Sequence, residues 1–117
     1  AEVATAQDQL QLFGSLITRY FFVPEGSTGF RLGAQDGGPT EGARFVITSP
    51  TGRVAFEADG NYNGVELPVD VEAGEAGRVW SLRIEPQQDL ALWLAGDVMP
   101  YLSTAPERVL VPATDNN

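Results

Sequence analysis

The sequence predicts an all-β fold, a single antiparallel β-sandwich of jelly-roll-like type with eight or nine strands. Three observations predict it. Apolar residues recur at every second position, the period of a half-buried strand, and almost nowhere at helical spacing. Clusters of Gly, Pro, Asp and Asn interrupt the chain about every ten residues. Finally, 117 residues with 43% hydrophobic and 20% charged side chains suit one domain around one core.

Residues 1–15 read as a lead-in, and Glu2 to Leu12 is the only stretch with a short helical reading. The sandwich module spans 16–112. Leu16 to Val23 is apolar nearly throughout, which suits a central strand, and Pro24 with the Glu25-Gly26-Ser27 turn ends it. Phe30, Leu32 and Ala34 alternate with Arg31 and Gln35. Phe45 and Ile47 lead into Ser49-Pro50-Thr51-Gly52, a turn with proline and glycine where turn geometry favours them, and Val54, Phe56 and Ala58 return as a hairpin. Val65, Leu67, Val69 and Val71 alternate with Glu66, Asp70 and Glu72, and Pro68 on the outward phase places that strand at a sheet edge. After the Gly74 to Gly77 turn come Trp80, Leu82 and Ile84, then Leu90, Leu92 and Leu94, two strands expected to be hairpin neighbours. Val109 to Val111 reads as a last strand beyond the proline-bounded linker Pro100 to Pro106. Residues 113–117 read as a disordered tail or linker stub.

Charge narrows the partners. Sixteen acidic residues stand against seven basic ones, a net charge of −9. All seven cations are arginines, scattered from Arg19 to Arg108, so no basic stripe exists to neutralise phosphates and nucleic acid is disfavoured. An anionic membrane surface is disfavoured by the same repulsion, and no apolar run reaches membrane-spanning length. A neutral ligand meets no such penalty. Cysteine and histidine are both missing, which removes disulfides, thiolate metal sites and the commonest general base. The chain opens at Ala1, the expectation for an excised module or a processed chain.

No catalytic residue is assigned, and an enzyme is not expected. Glu66, Asp70 and Glu72 lie two to six residues apart, but they fall on the outward phase of a strand, where nothing raises a pKa by burial. No cofactor is required. The loop Asp59-Gly60-Asn61-Tyr62-Asn63-Gly64 carries oxygen side chains at alternate positions, as in the first half of a calcium loop, with Asp59, Asn61 and Asn63 as ligands of a structural calcium. Read instead as a chain reversal, the same Asn-Gly pair is a favoured turn.

Most of the eleven aromatics fall on inward phases, Trp80 among them. Trp93 does not. Its strand already has an inward row in Leu90, Leu92 and Leu94, so period-two geometry turns Trp93 to the other face between Ala91 and Ala95, with the indole standing clear of small neighbours. A flat apolar ring there suits the C–H face of a sugar, with hydroxyls bound at the rim. Tyr101 and Tyr62 are candidates for a second ring, and Arg83, Gln88 and Asp89 for polar contacts. Covered by another segment, the same indole is simply packing.

Three stretches carry a resemblance: Tyr20-Phe21-Phe22-Val23-Pro24-Glu25-Gly26-Ser27, Phe30-Arg31-Leu32, and Phe45-Val46-Ile47-Thr48-Ser49-Pro50-Thr51-Gly52. Their rhythm resembles the accessory β-sandwich modules of secreted bacterial hydrolases, including carbohydrate-binding modules and pre-peptidase C-terminal-like domains. Gly77-Arg78-Val79-Trp80-Ser81-Leu82 continues it, so the likeness covers Tyr20 to Ile84. It implies an extracellular, non-catalytic module attached to a parent catalytic domain, binding polysaccharide and often holding calcium. The function expected is docking of β-glucan chains, cellulose-like or xyloglucan-like, for an attached glycoside hydrolase. The alternative is a structural β-sandwich that packs against its parent enzyme.

Overall fold

The computed structural model describes residues 1–14, 16–37, 42–86 and 89–112. Ten strands run through them: β1 (Glu2–Val3), β2 (Leu10–Phe13), β3 (Ile17–Val23), β4 (Gly29–Asp36), β5 (Ala43–Thr48), β6 (Val54–Gly60), β7 (Asn63–Asp70), β8 (Arg78–Pro86), β9 (Asp89–Gly96) and β10 (Tyr101–Leu102). Eight of them build two four-stranded antiparallel sheets, in the orders β2-β9-β4-β7 and β3-β8-β5-β6. The chain changes sheet at every connection between β2 and β9 except the β5–β6 hairpin, which is the connectivity of a jelly roll. The predicted sandwich is therefore the fold, with ten strands among the described residues in place of the eight or nine expected, because the lead-in contributes β1 and β2.

The alternation in the sequence is what closes the core. Phe21 and Val23 of β3, Phe45 and Ile47 of β5, and Trp80, Leu82 and Ile84 of β8 face Phe30, Leu32 and Ala34 of β4 and Leu90, Leu92 and Leu94 of β9. Phe30 meets both Phe21 and Trp80 edge-to-face at 5.5 Å, the arrangement that the ring quadrupoles favour. Leu10 and Leu12 add the inward phase of β2.

Three expectations change. The helical reading of Glu2–Leu12 gives way to β1, a turn and β2. Leu10 and Leu12 alternate with Gln11 and Phe13, and their inward row completes a sheet edge. The expected last strand at Val109–Val111 is β10 instead. It is followed by a 3₁₀ turn, Pro106–Arg108, started by a proline with the φ that such a turn needs. Nor are β8 and β9 hairpin partners: they lie in different sheets.

The two long sides of the sandwich differ. Along β3 the segment after β9 supplies extra pairing. Met99 N–H donates to the Phe22 carbonyl at 3.0 Å, and Tyr20 and Ser103 exchange backbone hydrogen bonds at 2.9 Å. Here β10 also pairs with β1, and Ala4 bridges Pro100 and Leu94. Thus β3, terminal in its sheet, has backbone partners along both edges. On the opposite side β6 and β7 are the sheet edges, and Pro68 sits in β7 where the missing N–H costs the ladder nothing.

One end is tied by a polar hub. Glu75, 2% exposed, receives Arg53 Nε at 2.9 Å and Nη2 at 2.7 Å, the Thr51 hydroxyl at 3.1 Å and the Glu72 N–H at 2.8 Å. Its own carbonyl accepts the Trp80 indole N–H at 2.9 Å. Arg53 foremost among these partners holds the Glu75 carboxyl at about 2, below the usual carboxylate range.

Candidate outer-face site

The outward phase of β9 meets the outward phases of β4 and β7 on one sheet face. Trp93 is in register with Gly33, and Gly33 with Glu66, so the three stand side by side across three strands. Trp93 lies outside the core cluster that contains Leu90, Leu92 and Leu94, as parity requires. Its indole reaches over β4 toward the edge strand. An added Cβ on Gly33 would fall 1.9 Å from Trp93 Cε2, so only glycine leaves room for the ring.

At the end of that reach the indole Nε1–H donates to Glu66 Oε2 at 2.7 Å. Arg31 Nε donates to the other carboxylate oxygen at 2.8 Å. The indole and then the guanidinium hold the Glu66 carboxyl below its ordinary value. A fixed, ionised acceptor thus stands beside a half-exposed guanidinium, both carried by rigid strands. Ala95 of β9 is in register with Arg31, and Ala91, on the same outward phase, with Gln35 of β4.

The expected free-standing indole is corrected here. Trp93 faces outward but is 5% exposed. Its neighbours along β9 are small, as read, yet its neighbour across the sheet is a glycine, and the ring folds down into that gap. Tyr62 is not a second platform either: it is buried, its ring centroid is 5.2 Å from that of Phe45, and its hydroxyl donates to the Ala43 carbonyl at 3.3 Å. Burial, with Asp59 and Asp36 nearby, pushes its hydroxyl pKa up. Tyr101 lies in β10, paired with Val3 on the closed side and away from this sheet. Arg83 projects from β8, between Thr18 and Val46, so it is on the outside of the other sheet. Of the polar candidates only Asp89, exposed at the start of β9, shares the face of Trp93. Gln88 lies outside the described residues.

The metal candidates sit where the chain crosses between sheets. Asp59 pairs with Arg44 in one sheet, Asn63 with Gln35 in the other, and Asn61 is exposed between them. Among the described residues no group of three or more acidic side chains gathers to hold a metal ion.

Nothing in the sequence brings Arg31, Gly33 and Glu66 together as a site. Glu66 reads there as one more solvated carboxylate on an outward phase. The available signal was Gly33, a glycine inside the alternation of Phe30, Leu32 and Ala34, which marks a close approach by some other group. No protein-family model and no curated protein matches this chain.

Proposed function

We propose that the domain is a non-catalytic carbohydrate-binding module whose docking surface is the outer face of the β2-β9-β4-β7 sheet. In this reading it is a secreted accessory domain that brings β-glucan chains to an attached glycoside hydrolase. The observation that carries it is the Glu66 carboxylate held between the Trp93 indole and Arg31. Sugar hydroxyls both donate and accept, and a preoriented carboxylate beside guanidinium donors serves both needs at little entropic cost. The net charge of −9 leaves neutral polymers as the favoured class of ligand. Trp93 acts as the floor that fixes Glu66, and not as the stacking surface. The partners of Glu66 favour its ionised form, which suits an acceptor of hydroxyl hydrogen bonds and not a general acid. A shallow surface of this kind supports modest affinity, on the order of 10 to 100 μM.

Affinity gels containing mixed-linkage glucan, xyloglucan, cellulose derivatives, xylan or mannan, run with and without chelator, test this reading. Retention of the wild type, lost in Arg31→Ala with thermal stability kept, is the expected result; Glu66→Gln should also lose retention, with a modest fall in stability because Glu66 accepts the indole N–H. Trp93→Ala is a poor test, because removing a buried indole also destabilises the sheet.

A second reading has its own observation. A tryptophan 5% exposed offers no open ring to a sugar, and this favours a structural module that packs against a parent enzyme. Absence of retention on every glycan, with lower stability when the domain is separated from its parent, is the outcome that selects it.

A further inference from the structure

The outer face does have an open ring, but it belongs to β2. Phe13 ends that strand on the outward phase, opposite to Leu10 and Leu12, and is 70% exposed. It stands in register with Asp89, itself exposed, on β9. One pleat further along, Gln11 of β2 and Gln35 of β4 pair with Ala91 from its two sides. Both glutamines are exposed, while Ala91 is 7% exposed. Across two inter-strand gaps, about 10 Å, the surface is a low alanine floor between two amides, with an aromatic ring and a carboxylate at one end.

We propose that Phe13 is the stacking residue of this face, and that an uncharged polysaccharide chain passes over Phe13 and lies between Gln11 and Gln35 with Asp89 accepting its hydroxyls. The proposal rests on the carbohydrate-docking reading above. An exposed phenyl ring supplies the apolar surface that the C–H face of a sugar needs, which the sealed Trp93 does not. Amides both donate and accept, so they pair with hydroxyls in either sense. The exposed Asp89 and the acidic chain repel anionic polymers, which selects a neutral glycan. Because Phe13 has few packing partners, its removal should leave the core intact.

The full chain is assayed in affinity gels on mixed-linkage glucan, xyloglucan, xylan and mannan. Phe13→Ala should weaken retention about ten-fold in Kd without lowering the melting temperature, Phe13→Trp should preserve it, and Gln11→Ala with Gln35→Ala should weaken it further. If the wild type is retained and Phe13→Ala is retained equally, the assignment of Phe13 is wrong. Loss of retention in Arg31→Ala and Glu66→Gln would in that case leave the docking face itself standing. If no glycan retains the wild type, both fall. Sedimentation gives a third arm, because Leu16, 53% exposed, follows Phe13 in the chain. A wild type that self-associates without glycan, and a Phe13→Ala variant that stays monomeric, would overturn the proposal in favour of a protein contact.

Discussion

Gly33 and Trp93 share one volume: a β-carbon on the glycine would sit 1.9 Å from Cε2 of the indole and 2.3 Å from Nε1. The absence of a side chain in β4 is what allows the largest side chain of β9 to lie across the sheet and reach Glu66.

Gly33→Ala is therefore expected to expel the indole and to destabilise the domain by about 1–3 kcal/mol, the usual cost of overpacking. Urea unfolding measures the loss. A red shift of tryptophan emission should accompany it, while an unchanged spectrum and midpoint would show that the ring is not held by this gap.

Trp93→Phe keeps an aromatic ring and removes the N–H donor. Hydrogen bonds to charged acceptors contribute about 1.5–3 kcal/mol when buried, so a loss near the lower end is expected for Glu66, which is one-third exposed. The carboxyl of Glu66 should also titrate at higher pH in this variant, because the indole is the first of the groups that lower it. Carboxyl NMR titration reads this directly.

Glu75 predicts the acid limit of the domain. Its carboxyl is held at about 2 in the folded chain, against the ordinary 4.5. A lowered folded pKa gives stability that is complete above pH 4.5 and lost as the pH falls toward 2. The difference corresponds to about 3 kcal/mol. Wild type and Glu75→Gln should differ most in stability at neutral pH and converge near pH 2. A constant difference between pH 6 and pH 2.5 would contradict the assignment.

Arg53→Met isolates the other half of this hub. It leaves the Glu75 carboxylate buried without its cation, a change that costs about 3 kcal/mol for buried pairs. Because Trp80 donates to the Glu75 carbonyl, the loosening should reach the core as a change in near-ultraviolet circular dichroism.

Pro68 protects the free edge of β7. Pro68→Thr restores an N–H on that edge and should promote self-association at high concentration, measured by light scattering. A variant that stays monodisperse would show that the acidic residues Glu66 and Asp70 are protection enough.

The alternation of Trp80, Leu82 and Ile84 and of Leu90, Leu92 and Leu94 is sufficient to define a sandwich, most of its core and the outward parity of Trp93, whereas Val65, on the inward phase of β7, is 40% exposed at the sheet edge. Period two is a local property of the backbone, so sequence determines it without knowledge of partners. Pro68 placed its strand at an edge for an equally local reason, the missing N–H. The tertiary structure alone decided which strands are neighbours. It separated β8 from β9, and with them Arg83 from Trp93, and it drew the leading residues into a sheet. It also decided exposure. A phase says which way a side chain leaves the backbone, but whether Trp93 stands open or folds over Gly33 depends on a residue sixty positions away in the chain.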